Sequence, residues 1–243
     1  MLQRSGKPLS GISFSIVIPF FNEEKNVVPV MDELVKTLDR QSFTYEIIPV
    51  NNGSTDGTGN ALDRYSLLEQ VRIVTVEKNE GFGWGIRQGI QAAQGEWICF
   101  FGGDGQTHPM DVVRILEAAL EEKHASILTG CRILRKDGIL RLVLSKVFNV
   151  CFNLLFDMRI KDVNGTPKVI RRDFISQIKI ETKGWFIDAE LLIWAKVLRK
   201  KVLQYPVIFR QRKAGRTHIN MAAVIEFIWR MIFFYFKQRS LSE

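Results

Sequence analysis

Phe14-Ser15-Ile16-Val17-Ile18-Pro19-Phe20-Phe21-Asn22-Glu23-Glu24 is the stretch on which the fold of this 243-residue chain turns. Residues 14–18 are a short apolar, β-branched run closed by a proline, the pattern of a buried strand. The polar Asn-Glu-Glu then hands over to an amphipathic stretch at 27–38. The rhythm repeats. Strand-like runs stand at 45–50, 71–76, 96–101 and 126–129, and helical patterns at 58–68, 84–93 and 109–120, the last opened by Pro109 at a favourable first helical position. Such alternation predicts an α/β fold, a doubly wound, mostly parallel sheet that binds ligands beyond the carboxyl ends of its strands.

Three polar loops stand at those ends. Residues 19–24 follow the first strand, Asn51-Asn52-Gly53-Ser54-Thr55-Asp56-Gly57-Thr58 the second, and Gly102-Gly103-Asp104-Gly105-Gln106 the fourth. Taken singly, each is built from turn-forming residues and needs no further purpose. Gly81-Phe82-Gly83-Trp84-Gly85 lacks the G-x-G-x-x-G spacing of a dinucleotide site, which disfavours a nicotinamide enzyme. Asp104, with the amide carbonyl of Gln106 two residues on, offers hard oxygen donors of the kind that suit Mg²⁺ or Mn²⁺.

Charge divides the chain. Residues 1–122 hold 10 Lys/Arg against 17 Asp/Glu, whereas residues 123–243 hold 24 against 9, so the overall net charge of +8 belongs to the second half. A basic half suits anionic lipid or a phosphate-bearing substrate; nucleic acid would rest on charge alone and is disfavoured. Cys99, Cys131 and Cys151 show no paired or C-x-x-C spacing, which fits reduced thiols in a cytosolic compartment. Residues 1–11 are polar and do not read as a secretory leader. Two apolar stretches, Ile139–Phe156 and 221–236, carry internal charges and are too short to span a bilayer. In the first, Arg141, Ser145, Asn149 and Asn153 recur every four residues, one polar stripe on an otherwise apolar helix. The second carries Glu226 and Arg230 as an i,i+4 pair beside Trp229 and four aromatic residues at 233–236. Both are expected to lie in a membrane interface, with core packing or a homo-oligomer contact as the alternative. The expected location is the cytoplasmic face of a membrane, as a peripheral protein.

Together the loops resemble those of the family 2 inverting glycosyltransferases of GT-A fold, in particular the polyprenyl-phosphate sugar transferases of the dolichol-phosphate mannose synthase type. The resemblance runs over residues 14–218. Residues 18–24 are similar to that family's I-P-x-Y-N-E-E, which implies that Pro19, Phe21 and Glu23 pack around a nucleotide base. Residues 50–58 are similar to V-D-D-G-S-T-D-G-T, which puts Asn52 where an aspartate usually touches the base. Residues 102–106 resemble the D-x-D-x-Q metal motif, implying Asp104 and Gln106 as ligands of Mg²⁺ or Mn²⁺ and Gly103 at the donor, with Gly102 replacing the first aspartate. Loss of that carboxylate should weaken metal affinity or shift the ligand set toward Gln106 and water. Gly130-Cys131-Arg132 resembles the G-S-R after the fifth strand, and Arg141 with Ser145 resembles the R-x-x-x-S that holds the lipid phosphate. Residues 188–192 are similar to D-x-E-L-L. Residues 212–218 are similar to R-x-x-G-x-S-K, with Arg212 retained and Thr217 and His218 departing from Ser-Lys.

The resemblance implies transfer of a sugar from a UDP- or GDP-sugar to a polyprenyl phosphate, with inversion. A phosphate monoester is already anionic near neutral pH, so positive charge to hold it matters more than a general base. Asp104, Arg132 and Arg212 are the expected catalytic residues, and Asp188 and Glu190 are expected to orient the arginines. A hydroxyl acceptor would instead require Asp188 or Glu190 as base, and a non-catalytic nucleotide-sugar regulator would explain Gly102. Three segments are expected: a nucleotide-sugar-binding half at 1–137, an acceptor-binding elaboration at 138–218 and an amphipathic helix at 219–243.

Overall fold

The computed structural model describes residues 11–122, 124–134, 139–211 and 221–242. In chain order the elements are β1 (Phe14–Phe20), α1 (Glu24–Leu38), β2 (Tyr45–Asn52), α2 (Thr58–Asp63), β3 (Val74–Val76), α3 (Phe82–Ala92), β4 (Trp97–Phe100), α4 (Pro109–Glu121), β5 (Ala125–Leu134), α5 (Ile139–Phe156), β6 (Lys168–Arg171), α6 (Arg172–Ile175), α7 (Ile187–Val197), β7 (Lys201–Ile208) and α8 (Met221–Ser242). The strands form one sheet in the order β3-β2-β1-β4-β6-β5-β7, and only β6 runs against its neighbours.

The expected parallel core is there, with both faces covered. Ile16 and Ile18 of β1 pack toward α1 and α4 through Val27, Met31, Leu34, Val112 and Leu116. Val17, on the opposite face, packs with Ile86, Leu191 and Phe234 of α3, α7 and α8. Because both faces are buried, the central strands read as continuous apolar runs without polar alternation. The second expected helix is shorter than its pattern, ending at Asp63, and the third strand begins only at Val74. Tyr65 turns back instead to donate its hydroxyl proton to Asp32 on α1, at 2.6 Å.

α5 spans the expected residues, and Asn149 and Asn153 of its polar stripe face the protein. Asn153 makes paired 2.8 Å bonds with the backbone N–H and carbonyl of Ile160, and Asn149 makes 3.1 Å bonds with the carbonyl of Lys161 and the N–H of Val163. The other side leaves Val143, Val147, Val150 and Leu154 exposed, Leu154 by 79%. α8 lies beside α5 and runs the same way: Phe148 meets Phe227 at 4.9 Å toward one end, while Asp157 and Gln238 line one cavity at the other. Ile228, Trp229, Ile232 and Phe236 continue the exposed apolar surface along α8. The expected Glu226 and Arg230 pair is present at 3.8 Å. Among the described residues no helix is long and apolar enough to cross a membrane.

Candidate active site

Strand register gathers the loops. Val17, Ile48, Phe100, Lys168, Thr129 and Gln204 lie on one line across the sheet, each paired with the next strand's member. Phe21, Asn52 and Asp104 each stand four residues beyond that line, and Arg132 stands three beyond it. All four therefore emerge at one edge. β4 and β5 are separated by β6 alone, so Asp104 and Arg132 leave strands about 10 Å apart.

On the β1/β2 side the loops are knitted by side-chain hydrogen bonds to backbone and hydroxyl groups, the Asp56 carboxylate accepting from the N–H of Thr58 at 3.0 Å and of Glu24 at 3.3 Å. Asn22, at φ +53°, accepts from Thr55 N at 2.8 Å and donates its own N–H to Ser54 Oγ at 3.1 Å. Asn52 is 2% exposed; its Nδ2 donates to the carbonyl of Gly81 at 3.0 Å, and its Oδ1 is buried with no hydrogen-bond partner. Such an orphaned acceptor is costly unless a ligand N–H meets it. Pro19 is buried and Phe21 half-buried. Glu23 is buried too, with its backbone N–H donating to Thr58 Oγ1 at 2.9 Å and its carboxylate accepting from Asn26 on its own helix.

The loop after β4 has a packing reason for Gly103: a Cβ there would stand 2.3 Å from the Phe20 ring. Gly102 has no such reason. A Cβ there would meet the Phe82 ring at 3.8 Å and the Asp104 carboxyl at 3.9 Å, both ordinary contacts. Asp104 Oδ1 accepts from Gln106 N at 3.1 Å, closing the turn with Gly105 at φ +73°. Gln106 is buried, and its Nε2 donates to the Arg210 carbonyl at 3.0 Å. A carbonyl can only accept, so this bond fixes the amide and turns Oε1 the other way. The Asp104 carboxylate and the Gln106 amide oxygen fit a hard divalent cation that takes its remaining ligands from water and phosphate. Among the described residues no three His, Cys, Asp or Glu side chains form a cage for a metal.

The β5 side is built differently. Arg132 is held by Asp162: Nε and Nη2 donate to the two carboxylate oxygens at 2.7 Å each, the backbone N–H adds a 3.1 Å bond, and the side chains are 8% and 6% exposed. The guanidinium also lies over the Phe209 ring, 5.3 Å from its centroid. Lys168, fully buried, donates to Thr129 Oγ1 at 3.1 Å and to the carbonyls of Val163 and Gly165 at 3.2 Å, and pairs with Asp188 at 3.2 Å. Burial pushes the Asp188 carboxyl up from its ordinary value, against the pull of Lys168. Glu190, also buried, accepts from the backbone N–H groups of Glu181 and Thr182 at 2.7 and 2.8 Å.

These contacts correct one expectation. The carboxylate that grips Arg132 is Asp162, whereas Asp188 serves Lys168 and Glu190 caps the segment before α7. Asp162 and Lys168 carry no motif signal, because Lys161-Asp162-Val163-Asn164-Gly165 reads as an ordinary polar turn; a lysine heading the short β-branched run 168–170 was the available signal. Ser145 is half-buried on α5, and Arg141 belongs to the same helix, its side chain outside the described residues. Arg212, Thr217 and His218 also lie outside them. A cavity of about 810 Å³ beside β7, lined among others by Lys196, Arg199 and Lys200, gathers the carboxyl ends of α5 and α7. Cations there complement the two helix termini and need no ligand.

Residues 15–178 match the glycosyl transferase family 2 model. The chain is 30% identical over 182 residues to dodecaprenyl-phosphate galacturonate synthase of Rhizobium johnstonii, covering 74% of this chain and 54% of that protein. It is 31% identical over 214 residues to human dolichyl-phosphate beta-glucosyltransferase, covering 79% and 66%. The chain thus spans about half to two thirds of the length of these relatives. Among solved structures, glucosyl-3-phosphoglycerate synthase from Mycobacterium tuberculosis, in complex with Mn²⁺, uridine-diphosphate and phosphoglyceric acid, superposes with a TM-score of 0.74 at 17% identity, covering 94% of this chain and 79% of that one. The fold is GT-A.

Proposed function

Because the chain belongs to glycosyl transferase family 2, we propose that it moves a sugar from a nucleoside-diphosphate sugar to a polyprenyl phosphate, with inversion at the anomeric carbon. The observation that carries this reading is the pairing, at one sheet edge, of an Asp104/Gln106 oxygen site with Arg132 about two strand spacings away. The named relatives use dodecaprenyl or dolichyl phosphates, and both supports point to the same acceptor class.

In this reading Pro19, Phe21 and Asn52 hold the base, with Asn52 Oδ1 accepting from a base N–H. Asp104 and Gln106 would hold Mg²⁺ or Mn²⁺, which when bound offsets charge on the departing diphosphate. Arg132, with Arg141, Ser145, Arg212, Thr217 and His218, meets the acceptor phosphate. The lipid phosphate is its own nucleophile, so the protein supplies alignment and fixed charge. Against a hydroxyl acceptor stands the burial of Asp188 and Glu190, whose oxygens are engaged by Lys168 and by backbone N–H groups. The paired apolar faces of α5 and α8 suit a peripheral seat on a membrane surface.

Incubating purified protein in detergent with a panel of UDP- and GDP-sugars and a polyprenyl phosphate should yield a glycolipid. Nucleotide binding without turnover on any lipid phosphate would overturn the proposal. The membrane seat has its own check: detergent should release the protein more completely than 1 M salt, where the Debye length falls to ~3 Å but apolar burial persists. Full release by salt would exclude it.

A further inference from the structure

Asp162 lies in none of the loops or motifs quoted above, yet it holds Arg132 by three hydrogen bonds. A buried ion pair seldom stabilises a protein more than apolar side chains of the same volume would, because desolvating two charges offsets most of their attraction. Its retention at this edge therefore points to geometry. Asp162 takes the Nε/Nη2 side of the guanidinium fork, and that fixes where the Nη1 end points.

The backbone on both sides of Asp162 is itself held in place. Asn153 and Asn149 of α5 bind the backbone at Ile160, Lys161 and Val163, and Lys168 Nζ and Thr129 Oγ1 bind the Gly165 carbonyl at 3.2 and 2.8 Å. A Cβ on Gly165 would stand 1.8 Å from the Gly130 carbonyl, so this loop and the end of β5 touch backbone to backbone. Asp162 is thereby fixed relative to the strand that carries Arg132. Asn149 and Asn153 continue the α5 stripe that begins with Arg141 and Ser145 and pin this loop, while the opposite side of the helix is the exposed apolar face.

We infer that Asp162 is a positioning residue: through the loop pinned by Asn149 and Asn153, it aims Arg132 at the acceptor phosphate. The inference rests on the proposed role of Arg132, and the experiment separates the two. Calorimetry on the full chain in detergent would measure affinity for farnesyl monophosphate, a short polyprenyl phosphate, and for UDP with Mn²⁺. Asp162→Asn should raise the farnesyl phosphate Kd by about ten-fold, the scale of a lost hydrogen bond to a charged group, and leave the UDP Kd within about two-fold. Arg132→Ala should weaken farnesyl phosphate at least as much, and the double variant no further, since both act through one guanidinium. Asn149→Ala, on the half-buried side of α5, should move the same affinity the same way by about three-fold, and it decides the matter if circular dichroism shows that Asp162→Asn fails to fold. Unchanged farnesyl phosphate affinity in Asp162→Asn and Asn149→Ala, with a loss in Arg132→Ala, would overturn the positioning role and leave the function standing. Equal weakening of both probes would reduce Asp162 to a structural part. No change in Arg132→Ala would bring down the assignment of Arg132 itself.

Discussion

The loops around β1, β2 and β4 and the segment joining β5 to β6 meet at one edge, but different forces hold them. On the first side the backbone is shaped by glycines and by side chains that bond backbone groups rather than a counter-charge: Asn22 to Thr55, Ser54 to Asn22, Asn52 to Gly81, Asp56 to Glu24 and Thr58, and Gly103 under the Phe20 ring. On the second side two ion pairs, Arg132 with Asp162 and Lys168 with Asp188, are taken almost wholly out of water. The first construction leaves oxygen acceptors presented at the edge, which suits a cation and the N–H groups of a base. The second fixes positive charge in place, which suits an anion. The acidic first half and basic second half of the sequence are the coarse outline of this division.

If the division is real, damage on one side should spare the other. Asp104→Ala should lower transfer by about a thousand-fold or more, because a divalent cation contributes several kcal/mol to a developing diphosphate charge and each 1.36 kcal/mol is ten-fold. Affinity for a polyprenyl phosphate should hold; a parallel loss of both would merge the two regions into one. Lys168→Met should cost about 3–5 kcal/mol of unfolding free energy by denaturant titration, the usual penalty for stranding a buried charge. Its deficit should also depend on pH. Burial already raises the Asp188 carboxyl in the folded state, and removing the cation raises it further. A carboxyl whose folded value exceeds the unfolded ~3.9 destabilises progressively as pH rises above that value, so the deficit should be smaller at pH 4 than at pH 8. A pH-independent deficit would mean that Asp188 does not depend on Lys168.

Smaller effects sharpen the first side. Gly103→Ala should lose about 1–3 kcal/mol through collision with Phe20, measured by thermal unfolding; a silent substitution would show that the loop yields. Gly102→Asp fits without overlap beside the Asp104 carboxyl, and should tighten Mn²⁺ by about ten-fold, or ~1.4 kcal/mol. Superimposable metal titrations of the two proteins would remove position 102 from the cation site.

Much of this was legible before any coordinates. The strand and helix periods of the first half located β1, β2, β4, α1, α3 and α4 to within a few residues, and the three loops between them were visible as breaks in apolar pattern. The helix α5 was legible to the residue because an eighteen-residue, mostly apolar stretch with a polar residue recurring every fourth position admits one period only. Local pattern also marked Asp104 and Gln106, since both sit in a short loop next to a strand end; Arg132, inside β5, was marked only by the resemblance of residues 130–132.

What the chain determined by itself, then, is whatever repeats within ten or fifteen residues: strand, helix, turn, and which loops fall at strand ends. Only the tertiary structure reversed β6 between β4 and β5, because a four-residue strand carries no sign of its direction. Only it turned Asn149 and Asn153 of α5 inward, where the backbone of residues 160–163 needed partners that they could supply. And only it chose Asp162 over Asp188 as the partner of Arg132: Arg132 and Asp162 are thirty positions apart, and nothing local ranks one buried carboxylate above another until packing brings one within 2.7 Å.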